Sequence, residues 1–270
     1  MIQNLHTHTT FCDGKNTPEE MVQSAIALGL NSLGFSGHAP MAEADDWSMT
    51  AETLPLYRAE VKRLQKTYAG QLEIFLGLEQ DFFSPPPADE WDYLIGSVHA
   101  VEKDGLFLPV DYQAEDFSRS VAQYYGGDYY AFAEDYYRLV SAVAEQTDCQ
   151  IVGHFDLITK FNEGDRLFDT KHPRYVRAAM EALDRLAEQD VIFEINTGAM
   201  SRGYRTAPYP APELLRAIRE RKIPICITSD SHSADTILHA FPQAAELARS
   251  CGYTECMILT RSGFQTQPIQ

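Results

Sequence analysis

The amino-acid sequence predicts an α/β protein in which seven parallel strands form a TIM-like barrel. Three observations support this fold class. Short aliphatic or β-branched runs alternate with helical patterns along the whole chain, as in folds built from repeated βα units. Seven of these runs, with helical patterns between them, are predicted to be the strands of the barrel. Histidines and carboxylates lie at the carboxyl ends of these runs, where (β/α) barrels build their active sites, and they can converge only if the sheet curves around one centre.

The first half of the chain contains four predicted strands and two predicted helices. The strands are Ile2–His6, Ser32–Ser36, Leu72–Leu78 and Tyr93–Val98. The first helix has Thr17 as its N-cap and Pro18 at its first position, and Glu20 completes a capping box. We expect this helix to stop at Gly29, and the second helix to cover Thr53–Tyr68.

The second half continues the alternation after a longer segment, Leu106–Gly127, which is rich in Asp and Tyr and precedes a helix near Asp128–Glu145. The remaining strands are Ile151–His154, Val191–Asn196 and Ile223–Thr228, and a further short run covers Cys256–Thr260. The helices between and after them are Pro173–Glu188, Ala211–Arg221 and a last one near Ala234–Arg249.

Length and composition predict one globular domain spanning residues 1–270, with 44% hydrophobic and 23% charged residues. No linker, repeat or low-complexity tract divides the sequence. No apolar run reaches the roughly 18 residues that a transmembrane helix needs, and the N-terminus lacks a signal-peptide pattern. The five cysteines form no CxxC pair and are odd in number, so we expect a reducing, cytoplasmic location rather than a disulfide framework.

The net charge of −17, from 39 acidic and 22 basic residues, opposes binding to nucleic acid and to anionic membranes. No run of basic residues offsets this charge. A substrate that carries phosphate would therefore depend on local positive charge, and bound metal ions would be its largest source.

Nine residues at the ends of the predicted strands have side chains of the kind that bind metal ions in hydrolytic enzymes. They are His6, His8, Asp13, His38, Glu79, His99, His154, Asp230 and His232. His6 and His8 are two residues apart on a strand, so both side chains point to one face. Asp230 and His232 repeat that spacing. A catalytic ion takes about three protein ligands plus water, so nine ligands predict two or three divalent ions, with Zn, Mn and Fe all compatible.

Taken singly, most of these residues have an ordinary alternative interpretation. Asp13 alone would be a loop carboxylate, and His38 alone a buried histidine with a hydrogen-bond partner. Glu79 differs, because it follows a very apolar run and a buried carboxylate needs a partner charge or a metal. The set as a whole is much more specific than its members.

These residues lie in motifs that resemble the polymerase-and-histidinol-phosphatase (PHP) family of metallophosphoesterases. The motifs are HTHTTFCDG, SGHAP, GLEQDF, SVH, GHFDLITKF, EINTGAMSRGYR and SDSH. They are most similar to those of the PHP-type histidinol phosphatases of histidine biosynthesis. The resemblance implies a distorted (β/α)7 barrel and a phosphomonoesterase that converts L-histidinol phosphate to L-histidinol and phosphate.

The resemblance also implies a trinuclear metal centre, in which each ligand has an assigned ion. His6, His8, Glu79 and Asp230 would hold the first metal. Glu79 would bridge to a second metal held by His99 and His154, and Asp13, His38 and His232 would hold the third. Some relatives have histidine where Asp13 stands, so this chain adds negative charge to the third site.

The implied reaction uses a water bridging the first two ions, which loses a proton near neutral pH and attacks phosphorus. Glu79 and Asp230 hold the reacting centre, and Lys160 and Arg202 are the candidate cations for the charge that develops on phosphate oxygens. Arg205 is a weaker candidate. An ordinary solvated charge is the alternative interpretation for these three residues.

Other polar positions remain open. Asp156 either orients an imidazole ring or caps a helix. In the Leu106–Gly127 segment, Tyr112 and Phe117 would pack against a substrate imidazole, and Glu115 or Asp116 would meet its ammonium group. The alternative is that this segment is plain surface. His172 and His239 lie outside all motifs, so we predict structural roles for them.

Four other functions are compatible with parts of the sequence. A stand-alone exonuclease is one of them, but the net charge of −17 argues against binding to long nucleic acid. A PHP phosphatase could act on another small phosphate ester, such as a nucleotide or phosphotyrosine. A non-catalytic metal-binding module would lack some ligands, and this chain lacks none of them. An amidohydrolase-type barrel would carry a lysine at the end of strand four, where this chain has His99. The sequence leaves the oligomeric state open.

Overall fold

The computed structural model describes residues 1–41, 47–88 and 90–269. Its strands are β1 (Gln3–Asn4), β2 (Ser32–Phe35), β3 (Glu73–Asp81), β4 (Tyr93–Ser97), β5 (Ala100–Lys103), β6 (Leu106–Pro109), β7 (Ile151–Val152), β8 (Ile192–Asn196), β9 (Ile225–Thr228), β10 (Glu255–Thr260) and β11 (Gly263–Pro268). Its helices are α1 (Pro18–Ala27), α2 (Thr53–Thr67), α3 (Ala114–Tyr124), α4 (Tyr129–Val140), α5 (Val143–Thr147), α6 (Pro173–Leu186), α7 (Gly198–Ser201), α8 (Pro212–Glu220) and α9 (Phe241–Ser250).

Seven parallel strands form the central sheet in the order β1-β2-β3-β4-β7-β8-β9. The sheet nearly closes just beyond β1 and β9, where the backbone N–H of His8 donates to the carbonyl oxygen of Ser231 at 2.8 Å. The backbone N–H of Ser231 in turn donates to the carbonyl oxygen of His6 at 3.1 Å. The predicted seven-stranded barrel is therefore confirmed.

Local signals in the sequence predicted α1 well. The Thr17 side chain accepts from the backbone N–H of Glu20, and the Glu20 side chain accepts from the backbone N–H of Thr17, which is the predicted capping box. The helix ends at Ala27, and Gly29 then takes a positive φ of 75°. Glycine adopts this conformation without steric cost, so it lets the chain turn towards β2.

The structure differs from the sequence prediction where turns interrupt a helical pattern. The helix predicted near Asp128–Glu145 is divided into α4 and α5, and the hydroxyl of Ser141 between them donates to the carbonyl oxygen of Arg138. Such a side-chain bond competes with the helical backbone pattern. The last helix begins at Phe241 instead of near Ala234, because Pro242 fits only the first turn of a helix.

The sequence prediction did not include β5, β6, α3 and β11. β5 and β6 form an antiparallel hairpin, and α3 follows it within the segment predicted only as an excursion. At the other end of the barrel, β11 pairs with β10. Leu259 of β10 packs with apolar residues of the strands, and its backbone N–H donates to the side chain of Gln3. The β10–β11 hairpin thus covers the amino-terminal end of the barrel.

Tyr93 fills the interior of the barrel, and two glycines make room for its ring. A Cβ atom on Gly77 would lie 2.2 Å from the Tyr93 ring, and one on Gly34 would lie 2.3 Å from its hydroxyl. The hydroxyl contacts the carbonyl oxygens of Leu5 and Phe35. One buried side chain therefore spans the first four strands below the polar end of the barrel.

Across the part of the chain described by the structure, no helix is both long enough and apolar enough to cross a membrane.

Candidate metal centre

The nine predicted ligands come together at the carboxyl end of the barrel. Four of them, His6, His99, His154 and Asp230, each stand two residues beyond the last residue of a strand. Glu79 is different, because β3 continues to Asp81 and Glu79 lies inside it. The expectation that Glu79 ends its strand was therefore wrong. The reason is that β3 pairs with β2 along its first half and with β4 along Gly77–Asp81.

One group of ligand atoms matches the predicted first metal position. The Nε2 atoms of His6 and His8 lie 3.2 and 3.4 Å from Oε2 of Glu79. The same two nitrogen atoms lie 3.7 and 3.2 Å from Oδ1 of Asp230. Two imidazoles from one chain segment thus face two carboxylates from opposite sides of the barrel.

These atoms lack the hydrogen bonds that buried polar atoms normally make. Nε2 of His6, Nε2 of His8 and Oε2 of Glu79 are all buried, and none of them makes a hydrogen bond of good geometry among the described residues, although Nδ1 of His38 lies 2.9 Å from Oε2 of Glu79. Leaving such groups unsatisfied costs about 1–3 kcal/mol each. A divalent cation between them would satisfy all three atoms at once, so the donor set fits a metal ion.

The other oxygen of Glu79 faces a second pair of histidines. Oε1 of Glu79 lies 3.0 Å from Nε2 of His154 and 3.4 Å from Nε2 of His99. The hydroxyl of Ser97 donates to this oxygen at 2.6 Å. The two oxygens of one carboxylate therefore point at different groups of imidazoles, Oε2 at His6, His8 and His38 and Oε1 at His99 and His154. This is the geometry that a bridging ligand needs.

A third group surrounds Asp13 near the solvent-facing side. Oδ2 of Asp13 lies 3.0 Å from Nε2 of His232, and Oδ1 lies 3.7 Å from Nε2 of His38. His8 belongs to this group as well, because its Nδ1 atom is 3.6 Å from Oδ1 of Asp13. The rings of His8 and His232 stack with 4.1 Å between their centroids. The groups are thus close enough to share ligands.

The electrostatics favour a bound cation. Burial alone would raise the pKa of Glu79, but His38, His6 and His99 outweigh it and hold this pKa well below its usual range. Burial would also raise the pKa of Asp230, but Arg202 and His6 outweigh it and hold this pKa well below its ordinary value. Both carboxylates are therefore ionised at neutral pH.

The imidazole rings divide according to their neighbours. Burial, with the nearby His232 and His38, lowers the pKa of His8 to about 3, so this ring is neutral and has a lone pair to offer a metal. For His6 and His99, burial would lower the pKa, but adjacent carboxylates raise it well above 6.5. Without a metal these two rings carry the positive charge that the carboxylates attract.

Two buried carboxylates behind the histidines were not recognised in the sequence. Oδ2 of Asp81 lies 3.0 Å from Nδ1 of His99, and Oε2 of Glu194 lies 2.9 Å from Nδ1 of His6. A signal for each was present in the sequence. Asp81 follows Glu79 by two residues, so it faces the same side of β3, and Glu194 is the only charged residue in the buried strand β8.

Lys160 and Arg202 line the cavity next to the histidines, whereas Arg205 does not. The Lys160 ammonium donates to the backbone carbonyl of Asp111 at 2.6 Å. The Arg202 guanidinium donates to Oδ2 of Asp230 at 3.0 Å and lies 2.9 Å from Nδ1 of His232. Arg205 pairs instead with Glu163 at 3.0 Å.

Asp156 takes neither of the two roles considered for it from the sequence. Its Oδ2 atom accepts from the backbone N–H of Ala211 at 3.1 Å, just before α8, and its side chain makes no capping bond to the 3-10 turn at Leu157–Thr159. No hydrogen bond from its side chain to an imidazole is present among the described residues. Burial raises the pKa of this carboxyl group.

The predicted aromatic segment is partly at the cavity and partly in the core. Tyr112 lines the cavity and is exposed. Phe117 is fully buried and packs against Tyr129 and Phe132, so its predicted contact with a substrate ring is wrong. Asp116 pairs with Arg119 on the surface of α3. The amphipathic character of α3 explains the outcome, because Phe117 belongs to its inner face.

The predicted structural role is confirmed for His172, whereas for the exposed side chain of His239 it stays a prediction. His172 caps α6, because its Nδ1 atom accepts from the backbone N–H of Arg174. The backbone carbonyl of His239 accepts from the hydroxyl of Thr197 at 2.7 Å.

The ligand groups open into a cavity of about 450 Å³, a size that accepts a small molecule. The inner wall is formed by seven of the nine ligand side chains, all but those of His6 and His8, with Lys160 and Arg202. The outer wall is largely apolar and aromatic: Met41, Trp47, Phe83, Phe107, Tyr112, Leu157 and Tyr204. The cavity therefore has one charged end and one apolar end.

Comparisons with known proteins find relatives along nearly the whole chain. The PHP-domain family model matches residues 4–198. A protein from Deinococcus radiodurans named "Probable histidinol-phosphatase" is 36% identical over 261 residues, which is 92% of this chain and 92% of that protein.

Solved structures of similar shape span the same region. The crystal structure of hisK from Listeria monocytogenes has a TM-score of 0.77 and 26% identity, and it covers 89% of this chain and 99% of that one. The histidinol phosphate phosphatase from Lactococcus lactis, solved with Zn, L-histidinol and phosphate, has a TM-score of 0.68 and 20% identity, with 98% of both chains covered. The second structure supports the fold.

Proposed function

The chain belongs to the PHP family, and from this premise we propose that it is a metal-dependent phosphomonoesterase that hydrolyses L-histidinol phosphate to L-histidinol and phosphate. The observation that carries the proposal is the set of unsatisfied buried atoms on His6, His8 and Glu79, which converge beside two cations at the end of an open cavity. The relative from Deinococcus radiodurans, which aligns with this chain over 92% of its own length, is named "Probable histidinol-phosphatase".

Nine side chains hold the metal ions in this proposal, in three groups. They are His6, His8, Glu79 and Asp230 for the first ion, Glu79, His99 and His154 for the second, and Asp13, His38 and His232 for the third. Bound divalent ions of the Zn, Mn or Fe type supply Lewis-acid chemistry to water and to the phosphoryl group.

The protein's own cations complete the phosphate end of the cavity. Arg202 is held in place by Asp230 and His232, so its guanidinium is already oriented before a substrate arrives. The backbone of Asp111 fixes Lys160 on another wall of the same cavity. Both groups are charged donors, which stabilise the negative charge that builds up on phosphate oxygens during ester cleavage.

The apolar end of the cavity suits the organic part of a small phosphate ester. Trp47 lies 5.7 Å from the His99 ring, and Phe83 packs edge-on against Phe107 at 4.8 Å. These rings exclude water from the side of the cavity opposite the phosphate. An imidazole-sized group attached to a phosphate therefore has polar contacts at one end and aromatic contacts at the other.

Turnover of different phosphate esters tests the substrate. We expect kcat/KM for L-histidinol phosphate to exceed that for AMP and for a phosphotyrosine peptide by at least tenfold, which is about 1.4 kcal/mol of transition-state discrimination. Equal values for the three esters would contradict the named substrate and favour a PHP phosphatase of another specificity.

The cellular setting belongs to the same proposal. We place the protein as a single domain of residues 1–270 in the reducing cytoplasm, acting on a small substrate and on neither nucleic acid nor membranes. The five cysteines, which are free in the described structure, and the net charge of −17 support this.

A further inference from the structure

Strand β8 differs from the other six central strands, because it neither contains a proposed metal ligand nor is directly followed by one. It nevertheless runs between β7 and β9, which are followed by His154 and Asp230. Glu194 and Asn196 stand two residues apart on β8, so they face the same side of the sheet. Both are buried, with exposed fractions of 1% and 0%.

Every contact of the Glu194 carboxylate is directed at the metal centre or at its supports. Oε2 accepts from Nδ1 of His6 at 2.9 Å and from the hydroxyl of Thr228 at 2.7 Å. Oε1 accepts from the backbone N–H of His154 at 2.7 Å and from the side-chain amide of Asn196 at 2.7 Å. Each oxygen therefore has two donors, and the carboxylate is fully satisfied without water.

The contact with His6 decides which ring nitrogen faces the metal. An ionised carboxylate only accepts hydrogen bonds, so Nδ1 of His6 must carry the proton that is donated to Glu194. Nε2 is then the nitrogen that gives up its proton when a cation binds, and it is the one that lies beside Glu79 and lacks a hydrogen-bond partner among the described residues. Glu194 thus selects the ring form that binds a cation.

Asn196 extends the same support to a ligand on the next strand. Its amide nitrogen lies 2.7 Å from Oε1 of Glu194 and 3.4 Å from Oδ2 of Asp230, and its amide oxygen accepts from the backbone N–H of Gly198. A Cβ atom on Gly198 would lie 2.7 Å from Oδ2 of Asp230, so only glycine fits there. Side chains of β8 therefore contact ligands on both sides of their strand.

We propose that Glu194, supported by Asn196, is the positioning residue that holds His6, His154 and Asp230 in metal-binding geometry and thereby sets the affinity of the centre. This inference rests on the proposed metal sites and not on the identity of the substrate. Partners that orient metal ligands from behind typically contribute 10- to 100-fold to metal affinity.

Glu194→Gln tests the role directly, because it keeps the size of the side chain and replaces one acceptor with an amide. The metal-free protein is titrated with Zn²⁺ in competition with a chromophoric chelator, and with Co²⁺ while its visible absorption is recorded. We expect roughly 10- to 100-fold weaker Zn²⁺ binding and altered Co²⁺ bands. Glu194→Asp, which retains the charge, should recover part of the affinity.

Two further measurements separate positioning from folding. Glu181→Gln makes the same chemical change on the exposed face of α6 and should leave Zn²⁺ affinity unchanged. The melting temperature of the metal-free Glu194→Gln protein should stay close to that of the parent. Parent-like Zn²⁺ affinity in Glu194→Gln, or a loss matched by unfolding of the metal-free variant, overturns the inference. Failure of the parent to hydrolyse L-histidinol phosphate would overturn the proposed function while leaving this result intact.

Discussion

Glu79 is the residue on which the proposed centre depends most, because its two oxygens face different groups of imidazoles. Oε2 lies near His6 and His8, and Oε1 lies near His99 and His154. Its burial makes the arrangement meaningful, since an unpaired buried carboxylate would be strongly destabilising.

Replacing Glu79 with alanine should therefore remove activity and most of the bound metal together. We expect a loss of kcat/KM on the order of 1,000-fold, measured beside metal content by atomic absorption. Glu73→Ala, at the start of the same strand and half-buried, should change neither. Near-normal activity and metal content in Glu79→Ala would contradict a shared ligand.

Arg202 and Arg205 provide a matched test of the phosphate-binding cations. Arg202 lines the cavity, whereas Arg205 is tied to Thr159 and Glu163 outside it. We expect Arg202→Met to lower kcat/KM on the order of 100-fold without loss of metal, and Arg205→Met to have a much smaller effect. Equal losses in the two variants would remove Arg202 from the proposed role.

At the scale of elements, one arginine joins α6 to α4 and to its N-cap. Arg174, in the first turn of α6, donates to Asp128 at 2.7 Å and to Glu134 at 2.6 Å. Hydrogen bonds from Arg174 lower the pKa of both carboxyl groups, and this effect outweighs that of partial burial, which would raise the pKa. A carboxyl group whose pKa is lowered in the folded protein stabilises the fold at pH values above its ordinary pKa. This stabilisation is lost as the pH falls through the lowered pKa, so the contact is pH-dependent.

We expect Arg174→Met to lower the urea midpoint modestly at pH 7, since the pair is exposed and screened by solvent. The difference from the parent should shrink as pH falls below the usual carboxyl range. Both proteins are unfolded in chelator, so that loss of metal in acid does not enter the comparison. A difference that grows towards low pH would contradict the assignment.

The interior of the barrel offers a second prediction at this scale. Gly77→Ala places a methyl group against the ring of Tyr93. We expect a loss of roughly 1–3 kcal/mol in the free energy of unfolding, as is typical of overpacking, measured by urea denaturation. In a double-mutant cycle with Tyr93→Leu, the cost of Gly77→Ala should largely disappear, and simple additivity would contradict direct contact between the two positions.

Element prediction succeeded where the signal was local. The capping box before α1 and the apolar runs of the central strands were visible in a few neighbouring residues. The β5–β6 hairpin and β11 were missed because their strands have only partly buried patterns, with exposed apolar residues such as Leu106 and Phe107. Their conformation is decided by contacts with distant parts of the chain.

At the scale of the whole molecule, the metal centre joins strands from opposite ends of the chain. His6 and Asp230 meet across the seam where the barrel closes. Without a cation, the carboxylates and imidazoles of the centre are held by the fold and by their contacts with one another. Bound metal should therefore stabilise the folded state, because the unfolded chain does not present the same set of ligands.

Removal of metal by a chelator should lower the melting temperature, and added Zn²⁺ should restore it. At a free ion concentration 1,000 times the dissociation constant, binding at one site contributes about 4 kcal/mol. Calorimetric scans of the parent and of Glu79→Ala provide the test, and the variant should respond much less. An identical response in both proteins would place the stabilising ion elsewhere.

The sequence by itself determined the class of fold, the order of the strands and the identities of the candidate ligands. These follow from local periodicity and from the positions of polar residues at strand ends, and both can be recognised within short stretches of the sequence. Only the tertiary structure decided that Glu79 presents its two oxygens to different groups of imidazoles, that Asp81 and Glu194 support the histidines, and that Phe117 belongs to the core. The physical reason is distance along the chain, because Glu194 reaches His6 across 188 positions and no local pattern encodes such a contact.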